Sequence, residues 1–312
     1  MTQPEYAIEA SGLTRRFAAV TAVDHLSFAV RRGELFGLVG PDGAGKTTTL
    51  RMLAGVMRPS EGDARILGVS VAHEAEAVKH HIAYMSQRFG LYADLTVSQN
   101  LNFYADLYQV PAAERAARLD RLFRFSNLGP FRDRLAGQLS GGMKQKLGLS
   151  CALVHQPDIL LLDEPTFGVD PVSRRDLWLI IHDMVAEGVT VVVSTAYMDE
   201  AERFDRVLLL HQGRVLDLDT PTALPARFGG LLYAVRTDRV RAAQEAARQA
   251  SGILRTAVFG DVLHVTVDPT LNAAAVRHVF EQAGHPVSVV DRIEPSMEDV
   301  FIDRVAQAER HD

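Results

Sequence analysis

One cysteine, Cys151, stands in the 312 residues, so no intramolecular disulfide can form and nothing marks an oxidising compartment. Lysine is almost as scarce. Lys46, Lys79, Lys144 and Lys146 are the only lysines, and the other basic residues are arginine. That skew fits genome composition, and it makes a lysine inside a glycine loop stand out. Long apolar runs are missing too. Stretches such as Ile159–Leu162 and Val189–Val193 fall far short of the roughly 20 residues that span a bilayer. Met1-Thr2-Gln3-Pro4-Glu5 has neither a basic start nor an apolar run, so it does not read as a signal peptide. These absences predict a soluble cytoplasmic protein, unless a partner brings it to a membrane. A basic excess is also lacking: the net charge is −6, which argues against a general nucleic-acid role. There is no repeat of 20–50 residues and no low-complexity tract.

What is present reads as globular. The apolar fraction is 47% and the charged fraction 23%, and the length suggests two domains. Residues 6–30 read as strands with turns, and Leu35–Val39 as a buried strand ending in glycine. A helix begins near Lys46 and stops at Ala54-Gly55. Residues 74–168 look mostly helical, with loops at Gln87–Asp94, Ser126–Pro130 and Gln138–Gly142. Two further buried strands are expected at Asp158–Leu162 and Thr190–Ser194, separated by an amphipathic helix around Trp178. Val207–Leu210 and Val215–Leu218 suggest a hairpin. Past Thr220-Pro221 the order β-α-β-β-α-β predicts a small ferredoxin-like unit. We expect domains at 1–222 and 223–312.

Gly40-Pro41-Asp42-Gly43-Ala44-Gly45-Lys46-Thr47 matches the phosphate-binding pattern G-x-x-x-x-G-K-[ST], between a strand and a helix. The chemistry needs these residue types. Glycines let backbone N–H groups close on phosphate oxygens, and the helix N-terminus adds partial positive charge. Lys46 can reach the β- and γ-phosphates, and the Thr47 hydroxyl can ligate Mg²⁺. Thr48 completes the loop's nucleotide-binding set. Asp163-Glu164 ends an apolar strand, where ligands bind in open parallel sheets. Asp163 can hold Mg²⁺ and Glu164 can polarise water; a helix start before Pro165 is the plainer reading of the pair.

Leu139-Ser140-Gly141-Gly142-Met143-Lys144-Gln145 lies between these two motifs and resembles the signature of ATP-binding cassette (ABC) ATPases. Three motifs in the family's order extend the resemblance over about residues 5–222. It implies an α/β P-loop cassette with a mixed sheet and a helical subdomain, binding ATP and Mg²⁺. It implies that Ser140, Gly141 and Gly142 meet the γ-phosphate held by a second cassette. Gln87 resembles the glutamine that senses Mg²⁺ and water and links to a membrane permease, which would be a separate polypeptide. Gly168-Val169-Asp170-Pro171 resembles the segment that crosses the dimer interface, and Phe17 the aromatic that stacks on adenine. An exporter's ATP-hydrolysing subunit, peripheral on the cytoplasmic face of the inner membrane, is the expectation. A soluble ABC ATPase acting on ribosomes or DNA is the alternative, although no nucleic-acid partner is expected.

One position departs from the family. In Ser194-Thr195-Ala196-Tyr197, Ala196 occupies the place of a histidine that contacts the γ-phosphate. An alanine neither donates a hydrogen bond nor carries a proton, and such groups contribute about 10²–10⁴ in rate. If nothing compensates for Ala196, hydrolysis should be slow while ATP binding survives. Tyr197 is the candidate to compensate, but if the strand continues its side chain points to the opposite face. A homodimer would lack the histidine twice; a heterodimer could draw one intact site from its partner; a hydrolysis-poor regulatory cassette is a further possibility.

Weaker signals have plain readings beside the functional ones. The aromatics of Phe89–Tyr108 could line a groove for a permease helix or fill the helical subdomain's core. His73, His80 and His81 match no zinc spacing. Cys151, in the apolar run Leu147–Val154, reads as a buried inert thiol. Glu294-Pro295-Ser296-Met297-Glu298-Asp299-Val300-Phe301 resembles the tail of ABC-2-type drug and polysaccharide exporter ATPases, with dimerisation, regulation or simple packing as its roles.

Overall fold

The computed structural model describes residues 5–87 and 90–310, which divide into two compact units at Thr220/Pro221. In chain order the first unit runs β1 (Tyr6–Phe17), β2 (Val20–Arg31), β3 (Leu35–Val39), α1 (Lys46–Leu53), β4 (Glu61–Ile66), β5 (Val69–Ser70), α2 (Ala75–Val78), β6 (Ile82–Met85), α3 (Val97–Leu107), α4 (Ala112–Ser126), α5 (Gly141–Leu153), β7 (Ile159–Asp163), α6 (Pro171–Ala186), β8 (Thr190–Thr195), β9 (Arg206–His211) and β10 (Arg214–Asp219).

A six-stranded sheet in the order β10-β9-β3-β8-β7-β6 organises the unit. All its neighbours pair in parallel except β9 and β10, which form the expected hairpin. Strands β3, β7 and β8 are buried at every position. That is why their sequences are continuous apolar runs rather than alternating ones: a parallel strand has two covered faces. A second, antiparallel sheet in the order β2-β1-β4-β5 alternates buried and open positions. Its inward residues Ile8, Leu13, Leu26 and Val30 join Leu38, Leu50, Leu53 and Leu161 in one core. Helices α3 and α4 each pack on α5, with Leu101, Leu119, Leu122 and Leu147 buried.

One correction concerns residues 74–168. The expected helical stretch contains β6, which pairs with β7 alone at the sheet's edge. Four residues, Ile82-Ala83-Tyr84-Met85, are too few to show a period, so only the register reveals the strand.

The second unit contains α7 (Ala223–Ala226), β11 (Leu231–Thr237), α8 (Val240–Arg248), β12 (Ile253–Phe259), β13 (Val262–Val267), α9 (Ala273–Gln282), β14 (Val287–Ile293) and α10 (Met297–Ala308). The four strands are antiparallel in the order β12-β13-β11-β14, the ferredoxin-like arrangement. Tyr233, Val235, Leu263, Val265 and Phe280 fill its core. Helix α10 occupies the C-terminal tail. Its signal was a capping box: Ser296 accepts from the Asp299 N–H, and Asp299 accepts from the Ser296 N–H.

Candidate active site

The carboxyl end of β3 feeds the Gly40–Gly45 loop directly into α1, which starts at Lys46. Two glycines here are sterically required. A Cβ on Gly40 would lie 2.1 Å from the Leu210 carbonyl oxygen. Gly45 has φ +104°, and its Cβ would lie 2.5 Å from the Ala22 oxygen. The loop turns Lys46 back over itself. Its Nζ donates to the Gly40 and Pro41 carbonyls at 2.8 and 3.0 Å and stands 3.1 Å from Glu164 Oε1.

Register brings the remaining groups together. Asp163 pairs with Ser194 across β7 and β8, and Val39 with Thr195 across β3 and β8. The phosphate-loop strand and the acidic-pair strand therefore end at the same edge of the sheet, on either side of β8. Met85 pairs with Leu162 across β6 and β7, so Gln87 and Glu164 each sit two residues beyond a matched pair. Gln87 Nε2 donates to Glu164 Oε2 at 3.0 Å.

Asp163 is buried and meets three hydroxyl groups. Thr47 Oγ1 lies 3.0 Å and Ser194 Oγ 2.7 Å from Oδ1, and the Tyr84 hydroxyl donates to Oδ2 at 3.3 Å. Burial, then the Asp163 charge, pushes the Tyr84 phenol up to about 12, so it stays a donor at neutral pH. Glu164 turns out of the strand with φ +49°, a conformation that costs a non-glycine residue energy. Its N–H compensates by donating to the Ser194 carbonyl and hydroxyl oxygens, both at 3.1 Å. Tyr84 and Ser194 lie in the segments of Gln87 and Ala196, and strand register alone gives them a part in the site.

Lys46, Thr47, Gln87 and Glu164 face a cleft of about 420 Å³ lined also by Asp42, Gly43, Ala44, Gly45, Thr48, Ala22 and Phe167. The cradle suits a polyphosphate: close-packed glycines, a lysine and a helix N-terminus. Thr47 and Asp163 offer hard oxygen donors 3.0 Å apart, of the kind Mg²⁺ takes. Among the described residues no cluster of three or more His, Cys, Asp or Glu could cage a metal. Such a sparse donor set matches an ion bound through one carboxylate and its substrate's phosphates.

The structure assembles a second group apart from these contacts. Ser140 caps α5 and accepts from the Met143 N–H at 3.3 Å. Asp170 caps α6, accepting from the Val172 and Ser173 N–H groups. The Ser173 N–H, aided by the Ser173 hydroxyl, holds the Asp170 carboxyl below the usual range. A Cβ on Gly142 would lie 2.2 Å from Ser173 Cβ, so the two helix starts touch there; Gly141 faces the Gly168 oxygen. Phe17 ends β1, 41% exposed, beneath the Arg15 guanidinium, and is not among the cleft residues. The strand does not continue past Thr195: the chain bends at Ala196 into a 3₁₀ turn, Met198–Arg203. Tyr197 is exposed, with the Arg174 guanidinium 4.9 Å over its ring. Of the apolar residues in the segment 89–108, Tyr92 and Tyr108 are exposed and Leu101 is core; Phe89 lies outside the described residues.

A strand, glycine loop and helix, an acidic pair at the end of the strand one place beyond its neighbour and a capped glycine helix define a nucleotide-binding cassette. Residues 23–167 match the ABC transporter family. A multidrug ABC transporter ATP-binding protein of Escherichia coli, YbhF, described as probable, is 41% identical over 96% of this chain. The chain spans about half of that relative, 52% of its length. The daunorubicin/doxorubicin resistance ATP-binding protein DrrA of Streptomyces peucetius is 37% identical, over 88% of this chain and 82% of its own. The Nod factor export ATP-binding protein I of Paraburkholderia xenovorans is 40% identical over 72% of this chain and 74% of its own. Among solved structures, the ATP-binding subunit of an ABC transporter superposes with TM-score 0.65 at 32% identity, covering 71% of this chain and 92% of that one. The dimeric bacterial cassette MJ0796 gives 0.63 at 25%, covering 68% and 98%. The chain belongs to the ABC transporter family, as an ATP-binding cassette. Among the described residues no helix is long and apolar enough to cross a membrane.

Proposed function

We propose that this chain is the ATP-hydrolysing subunit of an exporter, acting as one of two cassettes on a separate membrane permease at the cytoplasmic face of the inner membrane. The observation that carries the reading is the convergence of Lys46, Thr47, Gln87 and Glu164 on one cleft beside the Gly40–Gly45 loop, with the buried Asp163 hydrogen-bonded to Thr47. In this reading the N–H groups from Gly40 to Thr48 and the Lys46 ammonium bind the phosphates. Thr47, Asp163 and Gln87 would hold Mg²⁺, which when bound neutralises charge on the phosphate oxygens. Glu164 orients the attacking water and takes its proton. Lys46 and Glu164 are each other's counter-ion in the structure, so a phosphate that captures the lysine releases the carboxylate for water.

Ser140, Gly141, Gly142 and Asp170 face the second cassette, and Phe17 the adenine. The dimeric state of a neighbouring cassette structure supports this division of labour. Relatives named for multidrug transport, drug resistance and Nod factor export support an outward direction. Ala196 predicts slow turnover, because nothing at that position donates to the γ-phosphate.

Light scattering on the Glu164→Gln variant tests the pairing. Mg-ATP should convert a monomer into a dimer that ADP does not support. A monomer at every Mg-ATP concentration, with nucleotide bound, contradicts the two-cassette reading.

A further inference from the structure

Glu200 is wholly buried, yet it is a carboxylate. It sits in the 3₁₀ turn Met198–Arg203 and collects four side-chain donors. Thr195 Oγ1 donates to Oε2 at 2.6 Å. Thr166 Oγ1, Arg174 Nε and Trp178 Nε1 donate to Oε1 at 2.9, 2.8 and 3.1 Å. A buried charge is tolerated only when it is paired and its lone pairs are filled, and here both conditions hold.

The donors come from three segments, each adjoining a different part of the site. Thr195 ends β8, between Ser194, which holds Asp163 and the Glu164 N–H, and Ala196. Thr166 lies two residues past Glu164 in the loop that leads to Asp170. Arg174 and Trp178 stand on α6, the helix that Asp170 caps. Arg174 carries the network outward, pairing with Asp199 at 3.0 Å and covering the Tyr197 ring beside Ala196. One carboxylate thus ties the end of β8, the Glu164–Asp170 loop and α6 into a single piece. Packing alone does not call for it, since a buried ion pair replaced by well-packed apolar residues is often as stable or more so.

We propose that Glu200 is a positioning residue for hydrolysis. It sets the place of the Glu164 turn and of the Ala196-Tyr197 bend without lining the nucleotide cleft. The inference rests on the ATPase reading above. In a site without a side-chain donor at position 196, more of the rate depends on how rigidly the remaining groups are held.

Conservative variants of two donors test it on the full chain. Thr166→Val and Thr195→Val each remove one hydroxyl at nearly constant volume, while Thr166→Ser and Thr195→Ser keep it. Assayed well below their melting temperatures, the valine variants should lose about ten- to hundredfold in kcat with KM for Mg-ATP within about twofold, and the serine variants should retain kcat. The chain's one tryptophan is a second, independent readout, because the Trp178 indole donates to Glu200. Mg-ATP added to Glu164→Gln should shift Trp178 emission, although Trp178 is not a cleft residue. Valine variants that turn over like the parent, serine variants that fail as badly as valine, or an emission unmoved by bound Mg-ATP each overturn the proposal. If instead the parent and Glu164→Gln hydrolyse alike, the ATPase reading itself has failed.

Discussion

Lys46 Nζ stands 3.1 Å from Glu164 Oε1, with the two side chains 4% and 10% exposed. The group assigned to phosphate and the group assigned to water thus neutralise each other. A buried pair of this kind holds each charge in place until a competing anion separates them.

Lys46→Met strands the Glu164 carboxylate without its cation. Breaking a buried pair by deleting one partner costs about 3 kcal/mol, so melting temperature and Mg-ATP binding should both fall. Lys46→Met/Glu164→Gln should recover at least half of the lost stability, though not the binding. Urea unfolding of the four proteins gives the coupling, and strictly additive losses would refute the pair.

Gly40 and Gly43 separate steric need from backbone need. Gly40→Ala drives a Cβ to 2.1 Å from a backbone oxygen and should cost about 3 kcal/mol. Gly43→Ala meets nothing within 4 Å and bears only its φ of +78°, about 1–2 kcal/mol. Thermal unfolding checks the order, and the reverse order contradicts the loop geometry.

The glycine loop and acidic pair were legible because each is a contiguous motif at the end of an apolar strand. The buried strands β3, β7 and β8 were legible for the same reason: a strand with two covered faces writes itself as Val, Ile and Leu. Strand β6 was not, because four residues at an edge show no period. Ser194, Tyr84 and Glu200 were illegible as site residues for a different cause. Their neighbours, Asp163 and Thr166, lie 31, 79 and 34 residues away in the chain, and only strand register and turn geometry bring them together. Helix α10 could have been found from Ser296 and Asp299, whose spacing is that of a capping box.

Gly142→Ala places a Cβ 2.2 Å from Ser173 Cβ, wedging apart the starts of α5 and α6. The variant should fold, destabilised by about 1–3 kcal/mol, and Ser173→Gly should restore most of the loss. Calorimetry on the single and double variants checks this. No recovery in the double variant would mean that the two helix starts do not meet there.

Cys151 is buried, and burial pushes its thiol well above the usual range. A thiol reagent at pH 8 should leave the native chain unlabelled and modify it once only after unfolding. Fast labelling of native protein would contradict the packing of α5.

Steady-state ATP hydrolysis by the purified chain, beside Glu164→Gln and Ala196→His, tests the central claim most directly. The account predicts slow turnover by the parent. Glu164→Gln should fall about 10²–10⁴-fold further while still binding Mg-ATP, and Ala196→His should outpace the parent. A Glu164→Gln variant that hydrolyses at the parent's rate would contradict it.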